Sequence, residues 1–348
     1  MKLSKILFVR VDRIGDLILT LPVDQLEPLN GASVDWALTR GLGVYAEYAV
    51  PARSHFEIER DFSVSGFFAF FKRLRAARYD GAFVFHAPWW VSAALWLARV
   101  PLRVGPKSQW HSFLFLNRAI RQKRSQAEAH ELEYNVKLVL EGLGRASAPP
   151  VLPKLKLAAP EAAAVLTRFG LSKGGYYVVH PGMGGSARNW PSEYYVEWIR
   201  QLALESKVVV TGTAGDRAWL DPVKKALGTM TSISWLDGQL DTKQWLAILG
   251  GARAVLAPST GTIHAAASLG VPSIGIYSPV RVQAPKRWGP VGDFAKALVP
   301  EVNCPGHFEC LMEKCPHFDC MKTLTPDFVV RETKRLASRG AGGEPDAR

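Results

Sequence analysis

From Val179 to Pro191 the chain reads VHPGMGGSARNWP. Its glycines leave backbone amides uncovered at Met183, Gly184 and Gly185, Ser186 adds a hydroxyl, and Arg188 adds a fixed positive charge. A loop of this kind, following a buried strand and preceding a helix, is what a diphosphate needs: bare N–H donors at a helix start and one cation. A second loop of similar make-up lies in PSTGTIHAAASL, where Ser259, Thr260, Gly261 and Thr262 precede a helix carrying His264. Amides and hydroxyls there can hold phosphate. His264 is either within reach of a sugar or phosphate or a buried structural histidine. Two such loops point to a nucleotide-linked substrate.

Cys304, Cys310, Cys315 and Cys320 fall close together near the C-terminus, with His307 and His317 among them. Their spacing lacks the Cys-x-x-Cys knuckle that makes a zinc assignment strong. A structural metal, a redox-labile disulfide and reduced cysteines in a loop-rich cap all remain open, the last being the expectation for a cytoplasmic protein.

The elements that must carry these loops alternate between strand and helix. Ile6 to Val11 and Gly81 to His86 are short apolar runs of the buried-strand type in the first half, and the tryptophan-rich segment after His86 and Glu128 to Gly144 read as helices. In the second half, runs at Tyr176 to Val179, Lys207 to Thr211, Ala254 to Ala257 and Ser273 to Tyr277 alternate with helical patterns at 192–204, 216–227, 242–249 and 262–269. Such alternation implies parallel sheets covered on both faces, with ligands beyond the carboxyl ends of the strands. The Ala- and Pro-rich stretch after Gly144 marks a boundary: residues 1–155 form one domain and 156–325 a second, followed by a helix at 326–337 and a polar, disordered tail at 338–348.

The chain has 348 residues, more than one hydrophobic core usually organises, and with 48% apolar and 21% charged residues it is of the ordinary globular type. The longest mostly apolar run, Ala87 to Ala98, is too short to cross a bilayer, and MKLSKILFVRVDR reads as a first strand and not a signal peptide, so the cytoplasm is the expected compartment. The formal net charge is +12, and between Arg53 and Arg124 there are 13 basic against 4 acidic residues, interleaved with Phe and Trp. That excess suits an anionic partner. Nucleic acid would account for the charge but not for the glycine loops.

In order and spacing, VRVDRIGDLILTLP, HPGMGGSARNWPSEYY, STGTIHAAASLGVPSIGIYSP, RWGP at Arg287 to Pro290 and CMKTLTPDFV at Cys320 to Val329 resemble glycosyltransferase family 9, the bacterial ADP-heptose:lipopolysaccharide heptosyltransferases. The resemblance spans residues 5 to 336. It implies an α/β GT-B architecture, two Rossmann-like domains with parallel sheets facing across a cleft, the last helix returning to the N-terminal domain. It also implies inverting, metal-independent transfer, with no cofactor, from a nucleotide sugar to an inner-core lipid acceptor.

By the same resemblance Asp16 is the catalytic base. A carboxylate at a strand-to-helix turn can take the proton of an attacking hydroxyl, although it can also simply cap the helix. Arg188 stands where the family carries lysine and would neutralise the leaving diphosphate. Asp216 matches a ribose-binding glutamate, or caps the next helix. Ser259 is a departure, since relatives have an acidic residue there that is associated with the donor sugar; donor choice, or even transfer itself, is thereby in question. For the acceptor, an anionic glycolipid at the cytoplasmic face of the inner membrane, Arg53, Arg60, Lys72, Arg73, Arg121 and Arg124 form the candidate patch, with aromatics resting on the membrane interface.

Overall fold

The computed structural model describes residues 3–149, 151–185 and 187–342, so Ser186 lies outside the described residues. The chain divides into two units, Met1–Arg124 with Ala129–Lys154, and Ser125–Glu128 with Leu155–Arg348.

The first unit is built on a six-stranded parallel sheet of order β3-β2-β1-β4-β5-β6. Its strands are β1 Lys5–Arg10, β2 Ser33–Thr39, β3 Ser54–Ile58, β4 Gly81–His86, β5 Leu102–Pro106 and β6 Arg118–Ile120. Strands β1 and β4 are buried along nearly their whole length, as central strands covered on both faces must be. The outer strands β2, β3, β5 and β6 are half exposed and carry polar residues, which is why a search for continuous apolar runs passes over them. Phe8, Trp36, Phe83 and Phe85 interlock edge-to-face and stacked at the centre, with ring centroids 5.0–6.4 Å apart. The β1–β4 register slips between Val9 and Arg10, so that Arg10 stands opposite His86 at the carboxyl ends of the two strands. That slip places two polar residues where a parallel sheet receives ligands.

The second unit repeats the plan with order β12-β11-β10-β7-β8-β9, from β7 Tyr176–Val179, β8 Lys207–Val210, β9 Ile233–Trp235, β10 Ala254–Pro258, β11 Ser273–Ile276 and β12 Ala295–Leu298. The helix Ser192–Leu202 buries Tyr195, Trp198, Ile199 and Leu202 against this sheet. The last helix, Pro326–Gly342, joins the same core through Val329, Val330, Leu336 and Ala337, and its Thr333 hydroxyl accepts from Trp198 Nε1 at 3.3 Å. Its buried apolar residues belong to the core of the second unit, where the helix packs on the neighbouring helix Ser192–Leu202. The expected tail is helical from 338 to 342, and 343–348 lie outside the described residues.

Candidate active site

Asp16 sits in the first turn of the helix Ile14–Ile18, which is entered through Arg13 without a side-chain capping bond. Its carboxylate is held from the strand: Arg10 Nη2 donates to Asp16 Oδ1 at 2.7 Å. Arg10 also forks onto Asp12, Nε to Oδ1 and Nη2 to Oδ2, both at 2.9 Å, and lies 3.6 Å from Glu131 Oε1. Glu131 is paired in turn with Arg124. Asn135, fully buried, accepts from both arginines through Oδ1 and donates through Nδ2 to Leu19 O and Thr20 Oγ1, while Thr20 Oγ1 donates to the carbonyl of Asp16. Thus the helix Glu131–Leu143 and strand β1 together fix the Asp16 turn.

Three carboxylates face two guanidinium groups, which leaves one negative charge in excess. Burial, opposed by Arg10 and reinforced by Asp16, pushes the Asp12 carboxyl up to about 6. Burial alone would lower the Arg10 pKa, but Asp12, Asp16 and Glu131 override it and hold the guanidinium charged. Asp16 is the most open of the three carboxylates, with 20% of its side chain exposed against 14% for Asp12 and 1% for Glu131. Its Oδ2 has no hydrogen bond among the described residues. That oxygen can receive a proton while Oδ1 stays anchored. The network was not read from the sequence beyond Asp16 and Arg124; the one available signal was a charged residue, Arg10, ending an otherwise apolar strand.

Beside this turn lies a pocket of about 480 Å³, lined by Val11, Arg60, His86, Trp89, Gln109, Trp110 and His111 among others. Burial lowers the pKa of His86, with Arg10 adding to the effect and Asp16 opposing it, and burial lowers that of His111. Both imidazoles are therefore neutral near pH 7.

The six basic residues expected as one patch differ in their surroundings. Arg53 is buried: Nη2 and Nε bond to Asp24 at 2.8 and 2.9 Å, Nη2 to Leu21 O at 3.1 Å and Nη1 to Pro51 O. With its donors engaged inside the unit it is a structural residue, and a count of charges cannot see such pairing. Arg73 lies over the Phe56 ring at 3.9 Å. Lys72 and Arg121 are exposed. Only Arg60, on the pocket wall, and Arg124, in the network, stand close enough to His86 to act on it electrostatically.

In the second unit the loop after β7 is pinned by its neighbours. Asn189 Nδ2 donates to Pro181 O at 2.8 Å, Asn189 Oδ1 accepts from Tyr195 OH at 2.8 Å, and Trp190 Nε1 donates to Leu324 O at 2.8 Å. Met183 is buried, whereas Gly184 and Gly185 are exposed, and Gly185 adopts φ +74°, a left-handed conformation that favours glycine. Arg188 Nη2 donates to Asp319 Oδ1 at 2.7 Å, and the guanidinium lies 5.3 Å from the Phe318 ring centre. Asp319 was not singled out from the sequence; 131 residues separate the pair and no local pattern links them.

Asp216 ends a short turn, and its Oδ2 accepts from the amide and hydroxyl of Thr213 at 2.8 and 2.7 Å, with His180 Nε2 3.8 Å away. A Cβ on Gly182 would stand 2.2 Å from Asp216 Oδ1, so glycine is required beneath it. In this geometry Oδ2 braces its own turn, as the capping alternative expects. Thr260 precedes the helix Gly261–Ser268; its Oγ1 is buried without a hydrogen bond among the described residues, and Thr262 and His264 are buried. Ser259 is hydrogen-bonded to the Tyr277 phenol, and Tyr277 OH donates to Trp288 O at 2.6 Å. The four cysteines are free thiols and line one small pocket together with Arg188, His317 and Asp319. Among the described residues, no group of three or more His, Cys, Asp or Glu is arranged to hold a metal ion.

The sequence profile of glycosyltransferase family 9 (heptosyltransferase) matches residues 67–315. The chain belongs to glycosyltransferase family 9. The matched span contains both glycine loops, Arg188, Glu131 and Asn135, while Arg10 and Asp16 precede it. A Haemophilus influenzae protein described as a glycosyltransferase is 27% identical to this family 9 chain over 85% of its length and 88% of the relative's. The Salmonella typhimurium lipopolysaccharide heptosyltransferase 2 is 27% identical over 59% of this chain and 62% of its own. The structure of an E. coli ADP-heptose lipopolysaccharide heptosyltransferase II superposes with a TM-score of 0.79 at 20% identity, over 97% of this chain and all of that one. The fold is thus that of the GT-B glycosyltransferases, and this family 9 member is a glycosyltransferase.

Proposed function

We propose that this glycosyltransferase moves a heptose from ADP-heptose to an inner-core lipopolysaccharide acceptor, with inversion and without a metal ion. The observation that carries the reading is the Asp16 carboxylate, anchored at Oδ1 by Arg10 at 2.7 Å and open at Oδ2. As an acceptor oxygen attacks the anomeric carbon, Asp16 takes its proton, and the sugar–phosphate bond breaks with its electron pair going to ADP. Attack from the face opposite the leaving group inverts the centre. Arg188 and the amides at Met183 to Gly185 stabilise the charge gathering on the diphosphate, the role a divalent cation fills elsewhere. Ser186, Thr260, Gly261, Thr262 and His264 complete the donor side under this reading.

The acceptor side is the first unit. Trp96, Phe113 and Leu114 are exposed large apolar residues there, and Arg60, Lys72 and Arg121 are exposed cations. Apolar rings among cations suit the interface of an anionic membrane, so we place the protein peripherally at the cytoplasmic face of the inner membrane, where a lipid-linked acceptor is presented. No described helix is long and apolar enough to cross a membrane.

A thermal-shift panel of ADP, UDP, GDP and ADP-heptose tests the donor half. ADP and ADP-heptose are expected to stabilise the protein by mass action, and Arg188→Gln to weaken that binding by about tenfold, as loss of a charge-assisted contact would. Equal stabilisation by every nucleotide, or none by ADP, would contradict the reading.

A further inference from the structure

We propose that Asp319 is a positioning residue for Arg188, tying the guanidinium by one nitrogen so that its other N–H groups remain for the diphosphate of the nucleotide sugar. The tie makes arginine, not lysine, the cation that this site requires. The inference rests on the glycosyltransfer reading above, in which Arg188 meets the leaving diphosphate, and adds to it a residue that the sequence did not single out.

The guanidinium is gripped from one short segment of the second unit. Nη2 donates to Asp319 Oδ1 at 2.7 Å, Nη1 donates to Met312 Sδ at 3.4 Å, and the Phe318 ring centre lies 5.3 Å away. The Arg188 backbone is held separately, its amide donating to Gln283 Oε1 at 3.3 Å. The two charged side chains are 24% and 18% exposed, shielded enough for their attraction to be felt and open enough for a ligand to reach them. The N–H groups not engaged in these two bonds have no acceptor among the described residues. A thioether is a weak acceptor, so a phosphate oxygen displaces Met312 readily and leaves the stronger, charge-assisted bond to Asp319 in place.

A guanidinium spreads its charge over a plane, so one corner can stay on a carboxylate while another edge meets a phosphate. An ammonium is a compact point charge on a flexible stem. With Asp319 beside it, a lysine would settle on the carboxylate and offer the diphosphate a neutralised pair. The tie has a second effect: the long arm is ordered on folding, so less of its conformational freedom is lost when the nucleotide binds. A salt bridge that only latched the segment around Phe318 would do none of this, and lysine would serve it as well as arginine.

A double-mutant cycle tests this: ADP affinity by titration calorimetry, and urea midpoints on the same samples, for full-length wild type, Arg188→Lys, Asp319→Asn and the double variant. Arg188→Lys is expected to weaken ADP about tenfold while Asp319 is in place, and by no more than about twofold when Asp319→Asn accompanies it, because the ammonium then has no carboxylate to settle on. Asp319→Asn alone, which keeps an amide oxygen for Nη2, is the reference for the double variant, and Asp319→Ser gives the same comparison if the asparagine form is unstable. An equal loss from Arg188→Lys in both backgrounds would overturn the proposal. So would changes confined to the urea midpoints with ADP affinity unmoved, the signature of a latch. Arg188→Gln in the same assay reports separately on the donor reading: unchanged ADP affinity there would take Arg188 away from the diphosphate, whereas a loss there without coupling to Asp319 would remove Asp319 alone.

Discussion

Arg10 and Asp16 are joined by a 2.7 Å hydrogen bond in which the donor is almost wholly buried and the acceptor is partly open to solvent. The same guanidinium serves Asp12 and Glu131, so one strand residue ties three carboxylates together. Removing one partner of a buried charge cluster leaves the others uncompensated. Arg10→Gln is therefore expected to cost about 3–5 kcal/mol of stability in urea titration. Arg10→Lys, which keeps the charge but not the fork, should recover part of the stability and little of the activity.

The excess negative charge of the network has a pH signature. Asp12 ionises at about 6 in the folded chain against 3.8 for the ordinary side chain, so between those values the folded state holds more protons than the unfolded one. The contribution of Asp12 to stability consequently falls as pH rises through that window and is flat above it. Asp12→Asn carries no charge to ionise. The difference in melting temperature between Asp12→Asn and wild type should rise in favour of the variant from about pH 4 to about pH 6. A difference that is constant with pH would show that folding leaves the Asp12 pKa unchanged.

Arg53 separates structural from acceptor-binding arginines. Arg53→Ala strands the buried Asp24 and should destabilise the protein by about 3–5 kcal/mol, while the KM for acceptor in the folded fraction stays within about twofold of wild type. A selective rise in KM without loss of stability would return Arg53 to the acceptor site.

For Asp216, whose Oδ2 accepts two hydrogen bonds from Thr213, the brace and ribose roles give different readouts. Asp216→Asn is expected to lower stability by about 1–3 kcal/mol, with ADP affinity changed by less than about threefold. A tenfold loss of ADP affinity in a variant of wild-type stability would reverse that assignment.

What could be read in advance was what lies contiguous in the chain. Central strands such as β1 and β7 are unbroken apolar runs, and the glycine loop after β7 announces uncovered amides by composition alone. Partnership across the fold was not legible. Arg53 and Arg10 look alike as letters, yet one is consumed by Asp24 and the other anchors Asp16, a difference created by which carboxylates the topology brings near. Asp319 and Asn135 carry no local mark of their roles because the groups they hold are 131 and 125 residues away. The half-exposed strands β2, β3, β5 and β6 lack the apolar signal because one side of each meets solvent or the sheet edge.

In the proposed mechanism the open oxygen of Asp16 removes the acceptor proton during transfer from ADP-heptose. The most direct test is ADP release by wild-type protein and Asp16→Asn, with heptose-deficient lipopolysaccharide present or withheld. Release should require the acceptor and fall by about 100-fold or more in Asp16→Asn, with ADP affinity within a few fold of wild type. Acceptor-dependent release that survives in Asp16→Asn would contradict the account.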